Sequence, residues 1–167
     1  YAWCYNTLHD AEDGLYFDNI SLAGRISRAK YSYNSGQMIE AGAILHALTG
    51  EEEYLEQAQK TAAGCYERWF KLLQDGEQQI RMMDSGDVWF DAVMLRGLIA
   101  LYGRDGNDTY LRAVNASLDY AWREGRDENG LFGKFLSHRR EEDKRSWLLT
   151  QAAYAEMSAR MAKVNLR

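Results

Sequence analysis

An internal repeat constrains the fold of this chain more than any other feature of its sequence. Leu-His-Ala-Leu-Thr-Gly at residues 45–50 precedes a Tyr-Leu pair at 54–55, and Leu-Ile-Ala-Leu-Tyr-Gly at 98–103 precedes a second pair at 110–111. The two Tyr-Leu pairs lie 56 positions apart. Repeats of a few tens of residues are typical of arrays whose units bury their apolar faces against one another. We therefore expect each period to hold one helical hairpin, with an apolar inner helix and an amphipathic outer helix.

A second similarity extends the repeat to both ends of the chain. The segment around Gly14 resembles the segment around Gly130, and the two glycines lie 116 positions apart, close to two periods. The alternative is an ordinary up-and-down helical bundle, in which the Tyr-Leu pairs coincide by chance.

The composition favours an all-α fold. None of the 167 residues is proline and 46% are hydrophobic, which fits long uninterrupted helices and excludes a disordered chain. A chain of this size can bury a core without disulfides or a metal. Hydrophobic periodicity predicts a polar loop at 74–86 and helices up to about residue 9 and at about 36–48, 51–73, 88–102, 108–123 and 145–164.

Charge and cysteine content limit the possible partners. The formal net charge is −5 and no strongly basic face is evident, so nucleic acid is not an expected partner. The basic run at 139–145 is interrupted by acidic residues and is interpreted as solvated loop and helix start. No apolar stretch is long enough to span a membrane. Cys4 and Cys65 are either two thiols or one bridge.

Four short motifs point to a known family. They are Gly-Leu-Tyr-Phe-Asp-Asn at 14–19, Tyr-Ser-Tyr-Asn-Ser-Gly-Gln at 31–37, Leu-Thr-Gly at 48–50 and Tyr-Leu at 54–55. Together they resemble motifs of glycoside hydrolase family 76, the α-1,6-mannanases. Two positions depart from the family pattern, because Ser35 stands where Gln is usual and Asp91 stands where Lys is usual.

The resemblance implies an (α/α)6 toroid, in which six inner helices surround a cleft and six outer helices cover them. At 56 residues per hairpin, the chain supplies about three of the six hairpins. We therefore expect residues 1–167 to form a single helical domain that resembles the C-terminal half of such a toroid. The chain starts at Tyr1 without an initiator Met, which fits this expectation. By resemblance, the parent protein is secreted or belongs to the cell envelope.

The resemblance also implies where the chemistry lies. Glycoside hydrolysis needs two carboxyl groups that flank the scissile bond. The family's catalytic pair is two adjacent aspartates in the N-terminal half, and this chain contains no Asp-Asp. The acidic runs at 51–53 and 141–142 are better explained as helix starts, where negative charge is favourable. We expect no catalytic residue, cofactor or metal site in this chain.

The chain can still supply part of a sugar-binding cleft. Aromatic faces stack on sugars, and planar amides pair with adjacent hydroxyls. Tyr33, Asn34 and Gln37 lie where a long loop leads into a predicted inner helix, which is the rim of the cleft in such a toroid. They are candidates for substrate contact. The alternative is that they brace the loop, with Asn34 capping the helix.

Other candidates have weaker support. Trp89, Phe90 and Asp91 hold the equivalent place one hairpin later, where they either contact the cleft or serve the structure. Asp18 either reaches the cleft or bonds to the backbone of its own turn. Arg96, within an apolar helix, is interpreted as a brace for carbonyls or a carboxylate rather than as a ligand contact. The remaining tryptophans, Trp3, Trp69, Trp122 and Trp147, fall on helical stripes and are expected in the core.

Three functions are compatible with these observations. The first is the C-terminal portion of a mannan-degrading glycoside hydrolase, inactive by itself, that binds a mannan-type oligosaccharide or polysaccharide. The second is a non-catalytic helical-toroid domain that binds glycan or a protein partner. A third is another enzyme on the same toroid, such as an unsaturated glucuronyl hydrolase or a sugar epimerase. Three hairpins would leave inner helices uncovered, so self-association through exposed helix faces is also expected.

Overall fold

A computed structural model describes residues 1–137 and 147–166 of the chain. The described part contains six helices and four short strands. In chain order the elements are α1 (Ala2–Leu8), β1 (Asn19–Ile20), β2 (Ile26–Ser27), α2 (Ser32–Thr49), α3 (Glu52–Trp69), β3 (Phe70–Asp75), β4 (Gln78–Met83), α4 (Val88–Asp105), α5 (Thr109–Glu124) and α6 (Leu148–Met161). The all-α prediction is confirmed. The basic run at 139–145 and the acidic pair at 141–142 lie outside the described residues.

The repeat corresponds to two helical hairpins, α2 with α3 and α4 with α5. Helices α2 and α4 are each 18 residues long and each ends at a glycine in the left-handed conformation, Gly50 at φ 74° and Gly106 at φ 70°. These two glycines lie 56 positions apart. A residue with a side chain rarely adopts this conformation, so glycine ends the helix there. The structural equivalent of Gly50 is therefore Gly106, whereas Gly103 lies inside α4.

Helices α2, α4 and α6 lie side by side and run in the same direction. Along the α2–α4 contact, Ser32 bonds to Ser85 and Gly36 lies against Met94, so residue numbers rise together. Along the α4–α6 side, Arg96 pairs with Glu156, and Tyr102 donates a hydrogen bond to the carbonyl of Asn165. Three neighbouring parallel helices, of which α2 and α4 have antiparallel partners behind them, are the inner layer of an α/α array.

Helices α3 and α5 form the outer layer, and each buries one stripe of its surface. The buried stripe of α3 includes Ala58, Ala62 and Cys65, and that of α5 includes Leu111 and Val114. Their remaining faces are polar, which is the amphipathic pattern expected of an outer helix. Cys65 is buried and, like Cys4, is a free thiol, so the two cysteines are not bridged in this structure.

Residues 70–83 form an antiparallel β-hairpin, where the sequence predicted the end of a helix and a polar loop. Strand β3 pairs with β4 from Phe70 opposite Met83 to Asp75 opposite Gln78. The turn contains Gly76 in the left-handed conformation, at φ 59°. Phe70 and Met83 are buried, and the Met83 N–H donates to the Ser117 hydroxyl on α5. Packing on α5 therefore favours strands over the helical continuation of α3.

Three of the four tryptophans assigned to the core are exposed. Trp3, Trp122 and Trp147 are 60%, 58% and 58% exposed, and only Trp69 is buried. Trp122 lies on the outer surface of α5, where the Arg126 guanidinium stacks 3.9 Å from its ring centroid. Helical periodicity alone does not distinguish a core stripe from a solvent-facing stripe of this kind.

Within the described residues, no helix is both long and apolar enough to cross a membrane.

We predict that the closest helix contact tolerates no side chain. A Cβ on Gly97 would lie 2.2 Å from the Gly36 carbonyl oxygen, so Gly97→Ala should cost about 1–3 kcal/mol or more of unfolding free energy. Gly103→Ala in the same helix is the matched control, because a Cβ there meets nothing within 4 Å. That substitution should stabilise the helix by about 0.5–1 kcal/mol. Urea denaturation measures both effects, and equal stabilities of the two variants would contradict the prediction.

Candidate functional site

Four aromatic side chains gather at the N-terminal ends of α2 and α4. The Tyr33 ring stacks on Tyr31 and on Trp89, each at a centroid distance of 5.6 Å, with interplanar angles of 6° and 16°. Phe90 meets the Tyr33 ring edge-on at 4.8 Å. We call this group, Tyr31, Tyr33, Trp89 and Phe90, the aromatic rim. It exists because the parallel α2–α4 contact brings the first turns of both helices together.

A carboxylate holds the aromatic rim to the preceding loop. The Tyr33 hydroxyl and the Asn34 amide each donate to Asp18 Oδ1 at 3.0 Å, and the Asn19 amide donates to Asp18 Oδ2 at 2.6 Å. Burial alone would raise the pKa of Asp18, but these hydrogen bonds hold it below its ordinary value. Asp18 is therefore an ionised acceptor that orients Tyr33 and Asn34.

Asn34 does not cap α2, because the helix begins two residues earlier, at Ser32. Its side chain braces the loop through Asp18 instead. Ser35, which departs from the family pattern, is buried, and its hydroxyl accepts a hydrogen bond from the Tyr16 N–H. Both residues therefore fix the loop against α2.

Gln37 is exposed one turn below Tyr33. Its side chain makes no hydrogen bond to any residue in the described part of the chain, in contrast to Asn34. Together with Asp18 and Asn34 it lines a small cavity of about 110 Å³ between α1, the loop and α2. Gln37 is the candidate whose polar atoms remain available to a ligand.

Asp91 lies apart from this group. It is 1% exposed, so its carboxyl is in the interior and does not reach the surface of the aromatic rim. This burial favours the structural interpretation of Asp91, and its contact with a cleft stays a prediction. The pKa of Asp91 is raised to about 8, mainly by burial. The nearby Asp84 and Asp87 also raise it, whereas hydrogen bonds from Ser85 lower it. The Ser85 hydroxyl also accepts from Ser32, which links the start of α4 to the start of α2.

Two features of the site were not predicted from the sequence. Tyr31 completes the aromatic rim beside Phe90, and its position two residues before Tyr33 was the available signal. Lys30 is a second anchor of the loop, with ion pairs to Asp10 at 2.6 Å and Asp13 at 2.8 Å. These pairs are distant in sequence, so local patterns do not reveal them.

The arrangement combines flat aromatic faces with a free amide and fixed hydrogen-bonding groups. Such a combination suits a ligand with apolar C–H patches and hydroxyls. Within residues 1–137 and 147–166, no group of three His, Cys, Asp or Glu side chains could hold a metal ion.

Comparisons with known proteins agree with this architecture. The model of glycosyl hydrolase family 76 matches residues 1–82. A family 76 mannosidase from Bacteroides thetaiotaomicron VPI-5482 is 31% identical over 96% of this chain and 46% of its own, with a TM-score of 0.89. No curated protein matches the chain.

Two further structures come from Salegentibacter sp. and cover 96% of this chain. The α-1,6-mannanase itself is 25% identical over 50% of its own chain, with a TM-score of 0.71. An inactive variant with two adjacent aspartates replaced by alanine, in complex with α-1,6-mannotetrose, is 28% identical over 49% of its chain, with a TM-score of 0.75. This chain thus spans half or less of the length of these structures.

The family 76 structures are α/α toroids, and the described helices form part of one. The resemblance to glycoside hydrolase family 76 that was inferred from the sequence is confirmed by the family model and by these structures.

We predict that Asp91 makes stability fall as pH rises. The folded-state pKa of about 8 lies above the ordinary value of 3.8, so the folded chain binds this proton more tightly than the unfolded chain. The stabilisation is complete below the ordinary value and is lost as pH rises through the folded value. Asp91→Asn should therefore gain stability relative to the natural chain between pH 5 and pH 8, measured by urea denaturation at each pH. Parallel pH profiles for the two proteins would refute this role.

Proposed function

We propose that this chain supplies part of the carbohydrate-binding cleft of a family 76 glycoside hydrolase that acts on α-1,6-linked mannan. The observation that carries the proposal is the aromatic rim at the N-terminal ends of α2 and α4, with the free Gln37 amide below it. The catalytic carboxylates come from residues outside this chain.

The geometry of the rim supports sugar binding. Tyr31, Tyr33 and Trp89 lie nearly parallel and stack on one another, so each ring holds its neighbour in place, and Tyr31 at the end of the stack is 37% exposed. The Asp18 hydrogen bond to the Tyr33 hydroxyl fixes the central ring. A preorganised surface loses little side-chain entropy when a ligand binds.

The carboxyl groups near the rim favour binding over cleavage. A general acid must be protonated at the working pH, whereas Asp18 has a lowered pKa and three hydrogen-bond donors. Asp91 has a raised pKa but is buried.

The Salegentibacter variant with both adjacent aspartates replaced is described as inactive yet is complexed with α-1,6-mannotetrose. The present sequence has no adjacent aspartates, which fits a binding role for this part of the family fold.

A second candidate is a non-catalytic toroid domain that binds glycan or a protein partner. The departures at Ser35 and Asp91 favour it, because both residues serve internal contacts here. The two candidates differ in turnover. The longest natural form of the protein should release reducing ends from α-1,6-mannan under the first, and should bind without turnover under the second.

We predict that Gln37→Ala weakens binding of α-1,6-mannotriose by this chain by about threefold to tenfold, the equivalent of one hydrogen bond. Titration calorimetry, or NMR titration at millimolar ligand, measures the affinity. Gln79→Ala is the matched control, because Gln79 is also exposed but lies on strand β4, and this variant should bind as the natural chain does. Absence of mannotriose binding by the natural chain would overturn the proposal.

Self-association of this chain is a further part of the proposal. Ile44 and Leu48 on the inner-layer helix α2 are 48% and 78% exposed, and they lie four residues apart on one face of the helix. Exposed apolar side chains of this kind favour association.

We predict a mass above the monomer value of 19.2 kDa by light scattering at high protein concentration. The double variant Ile44→Glu/Leu48→Glu should return to the monomer mass. Leu22→Glu is the control, because Leu22 is fully exposed in the turn between β1 and β2 and should leave the mass unchanged. A monomer at all concentrations would contradict this part of the proposal.

A further inference from the structure

Three charged residues occupy equivalent positions on the three inner-layer helices. Glu40 lies on α2, Arg96 lies 56 positions later on α4, and Glu156 lies 60 positions after that on α6. We call these three residues the charged row. The Arg96 guanidinium pairs with both oxygens of Glu156, at 2.7 Å and 2.9 Å, and also interacts electrostatically with Glu40.

The charged row lies below the aromatic rim on the same helix faces. Tyr33 and Glu40 are seven residues apart on α2, and so are Trp89 and Arg96 on α4. Seven residues make about two helical turns, so each pair shares a face with a separation of about 10 Å along the axis. Gln37 occupies the turn between Tyr33 and Glu40.

This face of α2 points away from the outer helix. Gly42 packs against Tyr54 and Ala58 of α3, and Ser35 interacts with the buried Cys65 of α3. At 100° per residue, Gln37 and Glu40 lie on the side of α2 opposite to Ser35 and Gly42. The rim, Gln37 and the charged row therefore form one continuous strip on the inner side of the array.

Two groups in the charged row keep free hydrogen-bonding capacity. Helix α2 contains one residue of the types Asp, Glu, Lys and Arg, which is Glu40. The Glu40 carboxylate makes no hydrogen bond within the described part of the chain. The Arg96 side chain is 39% exposed and bonds to Glu156 through Nε and one terminal nitrogen, leaving the other terminal nitrogen available. By contrast, Glu156 is held on both sides, by Arg96 and by Arg160.

We propose that Glu40 and Arg96 form a second contact layer that binds adjacent hydroxyls of an oligosaccharide whose other end lies on the aromatic rim. This inference rests on the proposed function and adds specificity-determining residues to it. Glu40 accepts a hydrogen bond from one hydroxyl, and the free Arg96 nitrogen donates to the next. The axial separation from the rim exceeds the reach of a single sugar ring, so the site selects an oligosaccharide over a monosaccharide.

Glu156 and Arg160 support this layer without touching the ligand. The bidentate pair fixes the Arg96 guanidinium plane, which a lysine cannot reproduce. The interpretation of Arg96 as a brace for a carboxylate and the proposed ligand contact are therefore compatible, because they use different nitrogens of the same side chain.

The test compares α-1,6-mannotriose with mannose in NMR titrations of the natural chain and of Glu40→Ala. Mannotriose affinity should fall about tenfold or more, as expected for a hydrogen bond to a charged group. Mannose affinity should be unchanged, because mannose occupies the rim alone. Glu56→Ala removes the same charge from an exposed position on the outer helix α3, and it should change neither affinity.

A second variant, Arg96→Lys, keeps the positive charge and loses the planar guanidinium group that makes the bidentate pair. Arg96→Lys should weaken mannotriose binding while leaving mannose binding intact. A thermal unfolding transition for each variant checks that the variant is folded. Unchanged mannotriose affinity in folded Glu40→Ala would overturn this inference and leave the proposed function standing. A natural chain that binds neither sugar would overturn both. Weaker mannotriose binding in Gln37→Ala, with Glu40→Ala and Arg96→Lys unchanged, would overturn this inference and leave the rim and Gln37 as the proposed site.

Discussion

The contact between α2 and α4 at Gly36 and Gly97 determines most of this structure. The Cβ positions of these glycines would lie 2.4 Å from the Met94 Cα and 2.2 Å from the Gly36 carbonyl oxygen, so the two backbones touch. Close backbone approach fixes the register of the two helices as well as their distance. That register places Tyr33 beside Trp89, so the aromatic rim depends on glycine at positions 36 and 97.

The loop before α2 completes the site because it is fixed at several points. Lys30 binds Asp10 and Asp13, and Ser35 accepts from the Tyr16 N–H. A third close contact lies behind the loop, where a Cβ on Gly64 of α3 would lie 2.2 Å from the Asp13 carbonyl oxygen. Asp18 therefore reaches Tyr33 and Asn34 from a backbone that is already positioned. The polar groups near the rim orient one another, and Gln37 remains free for a ligand.

Sequence reasoning succeeded where local pattern and fold agree. The 56-residue period predicted the two hairpins, and the motif around Tyr33 located the start of an inner helix. It failed where a distant partner decides the outcome. Residues 70–83 form strands because they pack on α5, and Asp91 is buried because Ser85 and the inner helices enclose it. Trp3 and Trp122 are apolar and helical yet exposed, since amino-acid type does not specify which face is covered.

The sequence by itself determined the helical hairpins, their order and the resemblance to the family. Helix formation and termination depend on nearby residues, such as the left-handed glycines at 50 and 106, and these signals are local. Only the tertiary structure decided which candidates share a surface. Tyr33 and Trp89 come together while Asp91 turns inward, and Glu40, Arg96 and Glu156 align across three helices. The physical reason is that helix register is set by close packing between residues far apart in the chain.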